Sequence, residues 1–207
     1  MFELVHMGIT ILTAAGFYNP KLADFLKSKL TGNLYKRVAI VTTASKDKES
    51  NKYAQLAKIQ LLELGYTDAD FIDLEKNLDP GIFQSYDTVY VCGGNSFKLL
   101  NAARNANFKS SLERLLGREG IYIGVSAGSI LLCPSIQIAN EVHPDVNEIG
   151  MIDFNALHFV EETIYPHYES SHEDEVKNYE TSHKVAVTRL TNNQSVIFEN
   201  GIRTLID

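Results

Sequence analysis

Apolar residues along this chain fall into two rhythms. Near-continuous runs rich in Val, Ile and Tyr recur at residues 8–14, 37–43, 88–92 and 121–125, with a shorter run at 70–74. Runs of this kind predict strands, and the longest read as central strands of a parallel sheet, buried on both faces. Between them the spacing turns helical. Leu22, Phe25, Leu26 and Leu30 follow Pro20, a residue suited to a first helical turn. Tyr53, Leu56, Ile59 and Leu62 predict the buried stripe of a second helix, with Gly65 placed to end it. Phe97, Leu100 and Ala103 share one face of a third, which Asn95 or Ser96 can cap. The pattern slips at 105–107 and resumes at Phe108, Leu112 and Leu115, predicting a fourth. Strand alternating with helix predicts a parallel sheet with right-handed crossovers.

Beyond Pro134 the character changes. Residues 135–156 read as irregular and 157–164 as a strand, while the polar stretch 170–182 suits a short helix or a surface loop. Residues 184–189 and 195–198 predict late strands, with Asn192-Asn193 and Asn200-Gly201 as hairpin turns. No repeat, low-complexity tract or linker interrupts the chain, so one domain spanning 1–207 is expected.

Composition narrows the function more than the fold. A chain of 207 residues, 44% apolar and 22% charged, suits one ordinary α/β globule. No apolar run approaches the roughly eighteen residues needed to span a membrane. The start, Met1-Phe-Glu-Leu-Val-His6, lacks a basic region and a long apolar core, so no secretory signal and a cytoplasmic location are expected. The net charge of −7 argues against nucleic acid as a partner. Cys92 and Cys133 lie in apolar surroundings and read as buried, inert thiols. Two cysteines cannot build a thiolate-rich zinc site, and the six histidines show no H-E-x-x-H spacing. No metal and no cofactor are expected.

The chemistry centres on residues 121–132. A strand pattern runs into Gly124-Val125-Ser126-Ala127-Gly128, and an apolar run that suits a helix start follows. G-x-S-x-G between a strand and a helix is the pattern of a nucleophile elbow, in which a sharp turn presents the serine at the carboxyl edge of a sheet. A Cβ at 124 or 128 is expected to collide with that turn, and the following helix to point N–H groups at the serine oxygen. The loop at Gly93-Gly94 belongs to the preceding strand and opens at the same edge, where open α/β sheets form their sites.

A serine hydroxyl needs a base, usually histidine, and the base needs an orienting partner. His6 precedes the predicted fold and His158 sits within a strand pattern, which leaves His143, His167, His172 and His183. His167 is best placed, just past a strand end in a loop stiffened by Pro166.

Three segments then carry a resemblance: 91–100 (VCGGNSFKLL), 122–128 (YIGVSAG) and 166–168 (PHY). In this order they resemble the signature segments of the peptidase E family. These are serine peptidases on a fold like class I glutamine amidotransferases, and the family includes aspartyl dipeptidase and, more distantly, cyanophycinase. The similarity of order and spacing extends over roughly residues 8–200. The resemblance implies a three-layer α/β sandwich around a mostly parallel sheet. It implies Ser126 as nucleophile, His167 as general base, and the N–H groups of Gly94 and Ala127 as an oxyanion hole, with Asn95 beside it as a substrate contact. It implies a triad acid about fifteen residues past the serine, which is Glu141 here, with Asp145 and Glu148 as rivals. It also implies a small peptide as substrate, and a monomer or homodimer is expected.

Two departures matter. Aspartyl dipeptidases of the family carry an arginine shortly after the histidine motif, whereas residues 169–179 hold four acids and no arginine. A poor aspartyl dipeptidase is therefore expected, unless the fold brings Lys98, Lys177, Arg189 or Arg203 into the site. Cys92 also stands where a third loop glycine is common. Competing readings are an esterase of the α/β-hydrolase type and a non-catalytic binding protein on the same scaffold. A glutamine amidotransferase is disfavoured because the elbow residue is serine.

Overall fold

The computed structural model describes residues 8–30, 36–79 and 81–207; His6 and the rest of the N-terminal segment lie outside them. Strands β1 (Ile9–Thr13), β2 (Arg37–Val41), β3 (Asp68–Ile72), β4 (Thr88–Val91), β5 (Ile121–Val125), β8 (Ser195–Glu199) and β9 (Ile202–Ile206) form one sheet in the order β3-β2-β4-β5-β1-β8-β9. The first five are mutually parallel, and β8 and β9 add an antiparallel edge. Strands β6 (Thr163–Pro166) and β7 (Val187–Leu190) pair in parallel as a separate two-stranded sheet.

The helices are α1 (Pro20–Lys29), α2 (Lys52–Leu64), α3 (Ser96–Asn105), α4 (Phe108–Gly117), the one-turn α5 (Ala127–Ile130) and α6 (Ile138–Glu141), and α7 (Glu173–His183). Alternation along each strand splits the core between the two faces of the sheet. Ile11, Val38, Ile40 and Ile123 pack with Leu22, Leu26, Ala57 and Leu61 of α1 and α2. Leu12, Ala39, Val41 and Tyr122 pack with Phe97, Leu100, Phe108 and Leu112 of α3 and α4, and with Val176 and Tyr179 of α7. The result is the three-layer sandwich expected from the sequence.

Local chemistry explains the helix limits. Asn19, Asn51 and Asn95 each accept a backbone N–H of the first turn of α1, α2 and α3. Gly65 ends α2 in the left-handed conformation, at φ 115°.

Four sequence expectations change. The apolar stripe of α2 is reversed: Tyr53, Leu56, Ile59 and Leu62 are exposed, and Ala54, Ala57 and Leu61 face the sheet. Two alanines on the inner face permit close helix–sheet packing and leave the bulky residues outside. Residues 157–162 are not a strand, although Leu157 and Val160 are buried; His158 is exposed with φ 56° and pairs with Glu161. Asn192-Asn193 is not a hairpin turn, because β7 and β8 belong to different sheets. The apolar run after Ser126 gives one helical turn in place of a longer helix, so the macrodipole there is small. Asn200-Gly201 does close the β8–β9 hairpin, both residues at positive φ.

Candidate active site

The elbow is built mostly from backbone. Ser126 sits between β5 and α5 at φ 53°, ψ −112°, a strained region for a residue with a Cβ. Its N–H donates to the Thr13 carbonyl of β1 at 2.9 Å, and its own carbonyl accepts from Ser129 and Ile130 at 2.8 and 3.1 Å. A Cβ on Gly124 would lie 2.5 Å from the Gly128 carbonyl oxygen, and one on Gly128 would lie 2.4 Å from that of Val91, so neither position has room for a side chain. The fully buried Ser129 hydroxyl lies 2.8 Å from the carbonyls of both Thr13 and Gly124 and accepts the Thr13 N–H at 3.0 Å. Tyr122 donates its phenol to the Gly128 carbonyl at 2.7 Å. Ser129 and Tyr122 therefore brace the turn; sequence reasoning assigned neither a role, since both read as ordinary core positions.

Gly93 and Gly94 follow β4, the strand beside β5. Gly94 has φ 144° and backs onto the Ala44 carbonyl, which also accepts the Asn95 N–H at 2.9 Å. Among the described residues, neither the Gly94 nor the Ala127 N–H is taken up by a protein acceptor. Asn95 differs from expectation: its Oδ1 accepts from the Lys98 N–H and its Nδ2 donates to the Val146 carbonyl, so both ends of the amide are occupied within the protein.

The base comes from the small sheet. His167 directly follows β6, and Asn192 follows β7 by two residues. Because these strands are parallel, with Pro166 opposite Leu190, their ends deliver both side chains to one place. The Tyr168 N–H donates to the Leu190 carbonyl at 3.0 Å and ties the two ends together. His167 Nε2 lies 3.0 Å from Ser126 Oγ, and His167 Nδ1 lies 2.6 Å from Asn192 Oδ1. An amide oxygen only accepts, so Nδ1 carries the proton and Nε2 is left to accept from the serine.

Glu141 is therefore not the partner of His167. Its carboxylate pairs with His183 at 2.7 Å and with the Gln137 amide. Burial opposes ionisation there, but the His183 and Gln137 bonds outweigh it and hold the Glu141 carboxyl below its usual range. The rivals are also committed elsewhere: Asp145 accepts the Ser96 N–H at 2.7 Å, and Glu148 pairs with Lys46 at 3.4 Å. Asn192 was missed because an Asn-Asn pair between strand patterns reads first as a turn.

Ser126, His167 and Gly94 line one cleft of about 300 Å3. Ile130, Ile138, Ala139 and Val142 give it apolar walls, and Asp145, Glu169, His143 and His172 make its polar lining. The His143 and His172 rings lie against each other, tilted by 46° with centroids 4.0 Å apart, and His172 Nδ1 is 3.0 Å from the Tyr165 hydroxyl. Burial, with Glu175 and Glu169 nearby, pushes the Tyr165 phenol up to about 12, so it stays protonated. Burial likewise pushes the thiols of Cys92 and Cys133 up to about 12, which keeps both unreactive.

These features define the class: a three-layer α/β sandwich with a strained serine turn at the carboxyl edge of its sheet, the fold of a solved structure described as a putative peptidase E and of a solved actinobacterial peptidase. The chain belongs to peptidase family S51, whose family model matches residues 11–206. It is 26% identical over 154 residues to an uncharacterized peptidase of Listeria monocytogenes, covering 73% of each chain. It is 28% identical over 137 residues to peptidase E of a Nostoc species, a match covering 66% of this chain and 54% of that one. A crystal structure of a protein described as a putative peptidase E from Listeria monocytogenes superposes with a TM-score of 0.74 at 22% identity, covering 96% of this chain and 98% of the other.

Proposed function

We propose that this peptidase is of the serine type and cleaves small peptides through an acyl-enzyme on Ser126. His167 takes the hydroxyl proton at Nε2 as Ser126 Oγ attacks the scissile carbonyl, then gives that proton to the departing amine. A water, deprotonated by the same nitrogen, releases the acyl group and regenerates the serine. Asn192 holds the tautomer and ring orientation through its carbonyl oxygen. The uncommitted N–H groups of Gly94 and Ala127 are suited to hold the oxyanion. A neutral amide offers the imidazolium less charge stabilisation than a carboxylate, so orientation is the main service of Asn192.

The observation that carries this reading is the 3.0 Å contact between His167 Nε2 and the Oγ of a strained Ser126 inside a cleft. A dipeptide panel tests it. Wild type hydrolyses at least one member, and Ser126→Ala loses on the order of 10⁴-fold in turnover with an unchanged fold. Retention of activity within about tenfold by Ser126→Ala removes Ser126 from the mechanism.

A further inference from the structure

We infer that the cleft beside Ser126 is a cation-selective subsite, and that Asp145 is its specificity-determining residue for an ammonium or guanidinium group on the acyl-side residue of the substrate. The inference rests on the serine-peptidase reading above.

The argument starts from which charges reach the cleft. Among the described residues its lining holds two carboxylates, Asp145 and Glu169, and no lysine or arginine. The cations that could have entered are committed elsewhere. Lys98 turns to Glu75 at 3.6 Å, and Lys177 to Glu173 at 3.4 Å. Arg189 is clamped between Glu173 and Glu180 at 2.8 and 2.9 Å, and Arg203 pairs with Glu162. A substrate carboxylate entering here would lose hydration and meet two like charges, with the imidazoles of His143 and His172 but no lysine or arginine of the described residues in the lining to receive it.

Asp145 is built to face the opposite charge. It is half-buried, and one oxygen is fixed by the Ser96 N–H at 2.7 Å. Its own N–H donates to the Ala139 carbonyl at 2.9 Å, and the Val146 carbonyl next to it is held by the Asn95 amide at 2.8 Å. The other carboxylate oxygen has no protein partner among the described residues. The carboxylate is thus pre-oriented beside the Gly94 loop, while Glu169 stands two residues past His167. A second, independent feature points to a ligand there: the Ser126–His167 pair opens into the same space. The walls of Ile130, Ile138, Ala139 and Val142 fit the methylene stem of a long basic side chain, whose charged head then reaches a carboxylate.

The charge has two possible sources, the side chain or the α-amine, and substrates separate them. Lys-Xaa, norleucine-Xaa and Asp-Xaa dipeptides, with Nα-acetylated forms of the first two, are compared in wild type and in Asp145→Asn, which keeps an acceptor for the Ser96 N–H. In wild type, kcat/KM for Lys-Xaa exceeds that for Asp-Xaa by about 100-fold or more. A preference of Lys over norleucine that survives acetylation assigns the charge to the side chain. A preference of about tenfold or more for free over acetylated amines, equal for Lys and norleucine, assigns it to the α-amine. In either case Asp145→Asn erases the preference mainly through KM, with the rate of Ser126 labelling by a fluorophosphonate unchanged. Asp-Xaa as the fastest substrate, the absence of both preferences, or an equal loss on every substrate in Asp145→Asn overturns the inference; the last result would leave Asp145 only as a brace for the Ser96 loop. Should wild type be inert and unlabelled, the serine-peptidase reading fails by itself. Calorimetric binding to Ser126→Ala then decides the subsite: lysinamide binding more tightly than both acetyl-norleucinamide and aspartic acid supports it, and equal affinities overturn it.

Discussion

The two halves of the candidate site are held in different ways. Ser126 stands on a turn wedged into the main sheet, where Gly124 and Gly128 leave no space for a side chain and Ser129 ties the turn to β1. His167 and Asn192 stand at the ends of two short parallel strands outside that sheet, on an exposed rim. One side chain, Asn192, fixes the imidazole. The nucleophile is thus positioned by close-packed backbone, which cannot move by small steps, and the base by a hydrogen bond. Substitutions around the serine should cost stability, and those around the histidine should cost activity.

The largest expected effect lies on the base side. His167→Ala should lower kcat by on the order of 10⁴-fold without moving the thermal transition, because the ring is exposed and packs against little. On the elbow side, Gly124→Ala should destabilise the protein by about 3 kcal/mol, at the upper end for overpacking, since the added methyl meets backbone. A lowered midpoint in urea checks this.

Asn192→Ala should lower kcat by roughly 10- to 100-fold, about 1.4–2.7 kcal/mol, with stability unchanged. Asn192→Asp sharpens the comparison. A carboxylate on the Nδ1 side favours the protonated imidazole, so the acid limb of the pH–rate profile should move to higher pH while activity persists on the alkaline side. An unmoved limb would separate Asn192 from the base.

How much of this could be read from the chain follows the same division. The elbow was legible because its requirements are local: a strand, two glycines that admit no side chain, and a serine between them. The succession of the five strands along the chain followed from periodicity, and the placement of Gly94 beside Ser126 from β4 and β5 being consecutive in the chain; the order of the strands within the sheet did not follow. The orienting residue was not legible. It depends on β6 and β7 pairing with each other away from the main sheet, a non-local choice that no window of sequence contains. Glu141 lies at the family's spacing from the serine, but the α6–α7 contact gives its carboxylate to His183. The stripe of α2 was misread because both faces of that helix are apolar, and periodicity does not say which one the sheet takes.

Smaller effects belong to the support of the base. Glu180 anchors β7, accepting the Val187 N–H at 2.8 Å and Arg189 at 3.0 and 2.9 Å. The Arg189 bond first, then the Val187 N–H, holds its carboxyl below the usual value of 4.5. A carboxyl depressed by folding stabilises above that value and loses its contribution as pH falls through the lower, folded one. Glu180→Gln should therefore cost about 1 kcal/mol at neutral pH and flatten the loss of stability below about pH 4.5. Smallest of all, Ile59→Gln on the exposed face of α2 should change stability by no more than about 0.5 kcal/mol, where a buried stripe would have lost several.

The central claim is that Ser126 is a nucleophile activated by His167. Peptide mapping after treatment with a fluorophosphonate tests it most directly. The account predicts one adduct per chain, on Ser126, formed far more slowly in His167→Ala and not at all in Ser126→Ala. A folded wild-type protein that stays unmodified, or that carries the adduct on another residue, would contradict it.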